Sequence, residues 1–211
     1  MPRRSAQRAS ASPPSSREDS LPAFLSRHLL PRPQATRPEW DVIPAAVLVP
    51  LYEDQDTWWL LYTRRTDSVD VHRGQVSFPG GRIDVRDRGP AEAALREAEE
   101  EIGIRPEEVE VLGTLGPLLT VTQFEITPVI AHIAWPLALR LSTREVASAF
   151  GVPLPWLADP AHVHHEGRMP PIPGREVMVY RFDPYLGETI WGATARITLD
   201  VISLWRGFTA K

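Results

Sequence analysis

The chain has 211 residues, 43% of them apolar, a formal net charge of -4 and no cysteine. That length suits one medium domain with a sizeable core. The mild acidity argues against a general nucleic-acid binder, and the missing cysteine excludes disulfides, zinc thiolate sites and cysteine nucleophiles. No apolar run approaches the roughly 20 residues of a membrane-spanning helix, and the N-terminus lacks the apolar stretch of a secretory signal. The chain therefore reads as a soluble, cytoplasmic protein without a membrane partner. Its last residues, Thr209, Ala210 and Lys211, are not a peroxisomal address. Oligomeric state is not legible.

Residues 1–19 are rich in Ser, Arg, Pro and Ala, and are expected to form a disordered tail ahead of one domain over 20–211. Residues 20–30 predict a short helix, with Ser20 as cap and Pro22 in its first turn. The β-rich runs 44–52 and 57–65 flank the polar turn "EDQD" and predict a hairpin. Gly89 to Gly103 predicts a helix, with Pro90 early and glycine at its end. Two strand regions follow, over 109–122 and 125–135. "STREVASAF" (142–150) has the spacing of a capping box, Ser142 three before Glu145, and predicts a helix start. His162, His164 and His165 read as loop histidines, because hard carboxylate ligands cluster elsewhere and cysteine is absent. "EVMVYRF" (176–182) alternates as a strand, and 194–205 predicts a terminal helix. Trp191 and Gly192 before it suggest a packing corner. Strands and helices mix without a regular βαβ repeat.

The predicted helix over 89–103 holds "ALREAEEEIG", with four glutamates in ten residues. On a 3.6-residue period Glu97, Glu100 and Glu101 share one face, Glu99 points away, and Ala91, Leu95, Ala98 and Ile102 form the packing side. Arg96 stands one turn before Glu100. Two readings fit: a solvated acidic face, or a site for a hard cation. Like charges at i,i+4, as at Glu97 and Glu101, destabilise a helix. A divalent ion with oxygen ligands would remove that conflict.

The flanking residues bear on this choice. "FPGG" (78–81) stands just ahead of "RIDVRDRGPAEAALREAEEEIGI", and the whole resembles the Nudix box. Arg96, Glu97, Ala98, Glu100, Glu101, Gly103 and Ile104 occupy the places of its second half. The first half departs: past the five residues that follow Gly81 comes Asp87 where the box has Glu, and the stretch to Arg96 is one residue longer. Upstream, Leu61, Thr63, Arg65, Gly74, Phe78, Pro79, Gly80 and Gly81 are similar to the signature of the coenzyme A diphosphatase branch, with Tyr62, Thr66 and Asp70 departing from it. The likeness covers nearly all of 40–208.

This resemblance implies an α/β fold, the Nudix α/β/α sandwich with a mixed β-sheet. It implies Mg²⁺ or Mn²⁺ held by Glu97, Glu100 and Glu101, with Arg96 also in the catalytic group. His72, Gly80, Gly81, Arg65 and Arg64 are the candidate substrate-binding residues; Arg64, Arg65 and Arg73 are candidate anion contacts, and for any one of them a solvated strand-end arginine is the favoured alternative. The implied reaction is hydrolysis of the diphosphate of coenzyme A or acyl-CoA, giving 3′,5′-ADP and 4′-phosphopantetheine or its acyl form. Another nucleoside diphosphate derivative such as an ADP-sugar or NADH, a nucleoside triphosphate, or a non-catalytic Nudix binding module are the alternatives. The proton acceptor is open: a helix carboxylate or another loop acid, Glu145 among them. Asp84 could orient the glycine loop.

Overall fold

The computed structural model describes residues 20–31, 42–66, 74–120, 122–172 and 175–210. The proposed tail (1–19), His72, Arg73 and Asp70 lie outside the described residues.

Strands β1 (Ile43–Asp54) and β2 (Thr57–Arg65) form the expected hairpin. Gln55 and Asp56 both have positive φ, 49° and 58°, the conformation of a two-residue turn matched to strand twist. Then come β3 (Val76–Ser77), β4 (Gly80–Arg82), helix α2 (Pro90–Ile102), β5 (Val109–Thr114), β6 (Leu118–Leu119), β7 (Phe124–Ile133) and β8 (Val146–Pro153). Helix α1 (Leu21–His28) precedes them, capped by Ser20, whose side chain accepts from the Ala23 N–H at 3.4 Å. After β8 follow the single turn α3 (Leu154–Leu157), the hairpin β9 (Val163–Ile172) and β10 (Arg175–Phe182), and α4 (Gly192–Thr209).

Strands β1 to β8 make one mixed sheet along the path β3-β2-β1-β7-β5, with β4 on β1, β6 on β7 and β8 on β2. The β1–β7 pair is parallel and the other pairs are antiparallel. Alternation along the strands sorts the core into two faces. Ala46, Leu48, Val129 and Ala131 meet Ala93, Ala94 and Ala98 of α2. Val49, Leu51, Leu60, Tyr62 and Ile130 face the other way, toward α1 and α4. Helices on both faces make the α/β/α sandwich. Across that second face the Tyr62 hydroxyl donates to Thr198 Oγ1 at 2.9 Å, while Thr198 donates to the Thr194 carbonyl at 2.8 Å.

Two expectations are corrected. The 142–150 stretch makes only one turn, with the Glu145 and Val146 N–H groups donating to the Ser142 carbonyl at 3.0 and 2.8 Å, and then becomes β8. Pairing along β2, with Val146 and Val152 buried, outweighs the local cap signal. His164 and His165 lie in strand β9, and only His162 sits in a 3-10 turn. Among them, His164 Nε2 stands 2.7 Å from Asp183 Oδ1.

Helix α2 ends at Gly103, with φ 73°. A Cβ there would stand 2.8 Å from Arg140 Cβ, whereas one at Gly187, with φ 86°, would meet nothing within 4 Å. Gly187→Ala should therefore show the left-handed backbone penalty alone, about 1–2 kcal/mol. Gly103→Ala should lower the melting temperature further, because it adds the clash. Thermal melts of the two variants side by side check this.

Candidate active site

Helix α2 lies over β1 and β4, and the closeness of that packing builds the site. Gly80 pairs with Val47, and a Cβ on it would run into the Ala46 carbonyl and Val47 Cα. A Cβ on Gly81 would lie 2.5 Å from Cδ and Oε1 of Glu97. The double glycine thus lets the β4 backbone lie directly against helix carboxylates.

The three expected acids take different stations. Glu101 is buried, 4% exposed, and accepts from the Gly80 N–H at 3.3 Å. Glu97 is mostly covered by β4 and Arg96, its side chain 17% exposed. The Glu100 side chain is 61% exposed and reaches toward Arg96 Nη1 at 3.6 Å. Among the described residues, no three acidic or histidine side chains converge as a ready metal cluster. As a donor set the three still fit a hard divalent cation: all are carboxylates, and two are drawn together beneath one glycine strand. Glu99 is exposed and turned away, as the helical phase predicts.

The packing side differs in detail from its prediction. Ala93 and Ala94 are fully buried with Ala98 and Ile102, while Ala91 and Leu95 are only half-buried. Glu101 belongs to the buried set because it follows Ala94 and Ala98 by seven and three residues, on the same stripe. That signal is present in the sequence.

Burial pushes the Glu101 carboxyl up to about 7. The Arg65 charge and the Gly80 N–H oppose the shift, while Glu97 and Glu145 add to it. Arg65 therefore stands on the α2 side of β2, opposite Val146, with its Nε buried and unpartnered among the described residues. Arg64, the next residue back, pairs with Glu188 at 3.6 Å. Of the implied substrate contacts, Arg65, Gly80 and Gly81 are thus assembled at the acids, and Arg64 is not.

Arg96 engages the loop before α2. Nε and Nη2 donate to Asp87 Oδ1 and Oδ2 at 3.2 and 3.1 Å, Nη1 to Glu97 Oε1 at 2.8 Å, and Nη2 to the Arg82 carbonyl at 3.1 Å. Hydrogen bonding to Asp87 first, then Glu97, holds its proton more firmly than usual. Asp87 is the residue whose role the spacing leaves open. Asp84 orients the loop, accepting from the Arg86 N–H at 2.9 Å. Arg105 pairs with Glu107 and Glu108.

A mixed sheet carrying an acidic helix against a Phe-Pro-Gly-Gly strand is the arrangement of a diphosphate hydrolase. The Nudix domain model matches residues 42–149. The chain is 39% identical over 188 residues to the uncharacterized Nudix hydrolase NudL of Escherichia coli K12, covering 86% of this chain and 93% of that protein. It is 40% identical over the same length to NudL of Shigella boydii serotype 4, with the same coverage. A MutT/nudix family protein from Enterococcus faecalis shares the fold at a TM-score of 0.50 and 14% identity, over 84% of this chain and 66% of that one. RenU, a Nudix hydrolase from M. smegmatis, aligns at 0.48 and 25% identity, over 62% of this chain and 81% of that one. The chain belongs to the Nudix family, hydrolases of phosphorus anhydrides. Members of that family generally use divalent metals such as Mg²⁺ or Mn²⁺.

The raised Glu101 carboxyl has a consequence for stability. Its folded value lies above the ordinary one of 4.5, so the folded state binds the extra proton. Stability in chelator should then fall as pH rises from about 4.5 to about 7, and level off above. Melts at pH 5 and pH 8 in EDTA check this: the drop should be smaller in Glu101→Gln than in the wild type.

Proposed function

We propose that this chain hydrolyses the diphosphate of coenzyme A or its thioesters, releasing 3′,5′-ADP and 4′-phosphopantetheine or its acyl form. The observation that carries the substrate reading is the placement of the upstream signature. Thr63 donates to the Ser77 carbonyl at 3.1 Å, the Arg65 N–H donates to the Gln75 carbonyl at 3.0 Å, and β4 follows directly. These residues therefore form one continuous edge leading to Glu101. Leu61 and Thr63 are buried, Phe78 stacks on Tyr62 on the opposite face of the sheet, and Arg65 is the cation beside the acids.

Glu97, Glu100 and Glu101 would hold Mg²⁺ or Mn²⁺. When bound, the cation supplies neutralising charge for the diphosphate and acidifies the attacking water. The protein's share is placement. Gly80 and Gly81 bring the backbone close, and Arg65 offers an anion contact. A carboxylate of the acidic group, Glu145 included, accepts the proton as water adds to phosphorus and the bridging P–O bond breaks. Arg96 acts through Glu97, since its donors are occupied by protein groups. A small-molecule substrate in the cytoplasm belongs to the same proposal. No helix among the described residues is long and apolar enough to cross a membrane.

Glu100→Gln and Glu101→Gln should each cut metal-dependent hydrolysis by at least the roughly 100-fold that loss of even an outer partner can cost, with the fold intact by circular dichroism. A panel of CoA, acyl-CoA, ADP-ribose, NADH and dinucleoside polyphosphates, with products identified by mass, should show CoA compounds cleaved fastest. Faster cleavage of ADP-ribose would assign the site to ADP-sugars, and binding of CoA without turnover would make it a binding module.

A further inference from the structure

Tyr62 departs from the upstream signature, and it carries a hydroxyl into the interior, where Tyr62 and Thr198 are both fully buried. A buried hydroxyl is costly unless it is hydrogen-bonded. Here the bonds run in one direction. Tyr62 donates to Thr198 Oγ1 at 2.9 Å, Thr198 donates to the Thr194 carbonyl at 2.8 Å, and the Thr194 hydroxyl donates to the Val76 carbonyl at 3.2 Å. The chain thus passes from β2 through the first turns of α4 to β3. A second contact runs beside it: the Tyr62 ring stacks on Phe78, with centroids 4.7 Å apart. Val76 and Phe78 are both buried in the cluster on the face away from α2.

Two residues beyond Phe78, the Gly80 N–H donates to Glu101 at 3.3 Å, at the long end for such a bond. Gly80 has no side chain to anchor it. Its strand is tied to β1 by the Leu48 N–H, which donates to the Pro79 carbonyl at 2.8 Å. Bonds of that kind lie in the plane of the sheet. They leave movement along the sheet normal, toward or away from α2, to be fixed by packing from behind. We infer that Tyr62, Thr198 and Thr194 are positioning residues: acting from the far face through Val76 and Phe78, they set the depth of Gly80 and so the grip of its N–H on Glu101.

The inference rests on the reading of Glu101 as an acid of the active site, so the test separates the two. Exchange of the Gly80 N–H is measured by nitrogen-15 NMR on the full chain, well below the melting temperature. The reference is the Thr114 N–H, which donates to the Leu30 carbonyl at 3.1 Å on the other edge of the sheet. Hydrolysis of CoA with Mn²⁺ is followed in parallel. Thr194→Val should speed Gly80 exchange about fivefold relative to Thr114, and lower kcat about tenfold with KM little changed. Thr194→Ser keeps the hydroxyl and should recover most of both. Tyr62→Phe keeps the ring on Phe78 and should shift both in the same direction by less. Combined with Thr194→Val, it should add nothing, because the two act through one chain. Gly80 exchange unchanged in Thr194→Val, with only the melting temperature lowered, would make the chain merely structural and overturn the inference. Additive losses in the double variant would also overturn it. If the wild type does not hydrolyse CoA, the proposed substrate fails, and Gly80 exchange decides alone: faster in Thr194→Val upholds the positioning role, unchanged sinks it.

Discussion

Everything at this site depends on how closely α2 approaches the strands beneath it. Alanines at 93, 94 and 98 on the helix meet Ala46, Leu48, Val129 and Ala131 on the sheet, so the contact is made largely of small side chains. Glycines at 80 and 81 remove the last side chains between β4 and its neighbours. Such a contact buries less apolar area than one made of leucines, and it brings a helix edge within hydrogen-bonding reach of strand backbone. The result is a carboxylate, Glu101, held in the interior by a strand N–H. Desolvation makes that group costly as an anion, a cost an outside cation would offset.

The acidic group is also graded. Glu101 is buried, Glu97 is covered by the glycine strand and an arginine, and Glu100 stands largely in water. Three glutamates on one helical face therefore differ in freedom. The inner two are held by the fold, while the outer one is exposed to solvent. Crowding that would destabilise an isolated helix is eased here by Arg96, which shares its fork between the loop and Glu97.

Much of this was legible in the sequence. The β1–β2 hairpin followed from a polar turn between β-rich runs, and α2 from its proline start and glycine end. The failures have physical causes. Ser142 and Glu145 satisfied a local cap pattern, but one turn was all that strand pairing with β2 allowed. Strand β9 carries a glycine and two prolines, residues that strands disfavour, and among the described residues its ladder is with β10. The helical phase puts Glu101 on the right helix, but its burial follows from the alanine stripe, which the charge pattern of the face does not reveal. Asp87 was hardest of all, because a box spacing describes distance along the chain, whereas a salt bridge closes through space.

The period of two along β2 carries the last step. Arg64 and Arg65 are adjacent, so they must leave the sheet on opposite faces. Arg65 turns to the α2 side, where Glu101 feels its charge, and Arg64 turns to Glu188 on the other. Under the proposed function, a diphosphate bound at the acids would therefore encounter Arg65 and not Arg64. Arg65 also has a second task, since its charge opposes the cost of burying Glu101. Replacing it would disturb the acid and the anion contact together. A loss of activity on its removal would not by itself identify a substrate ligand, whereas the same loss at Arg64 would have to come from the far face of the sheet.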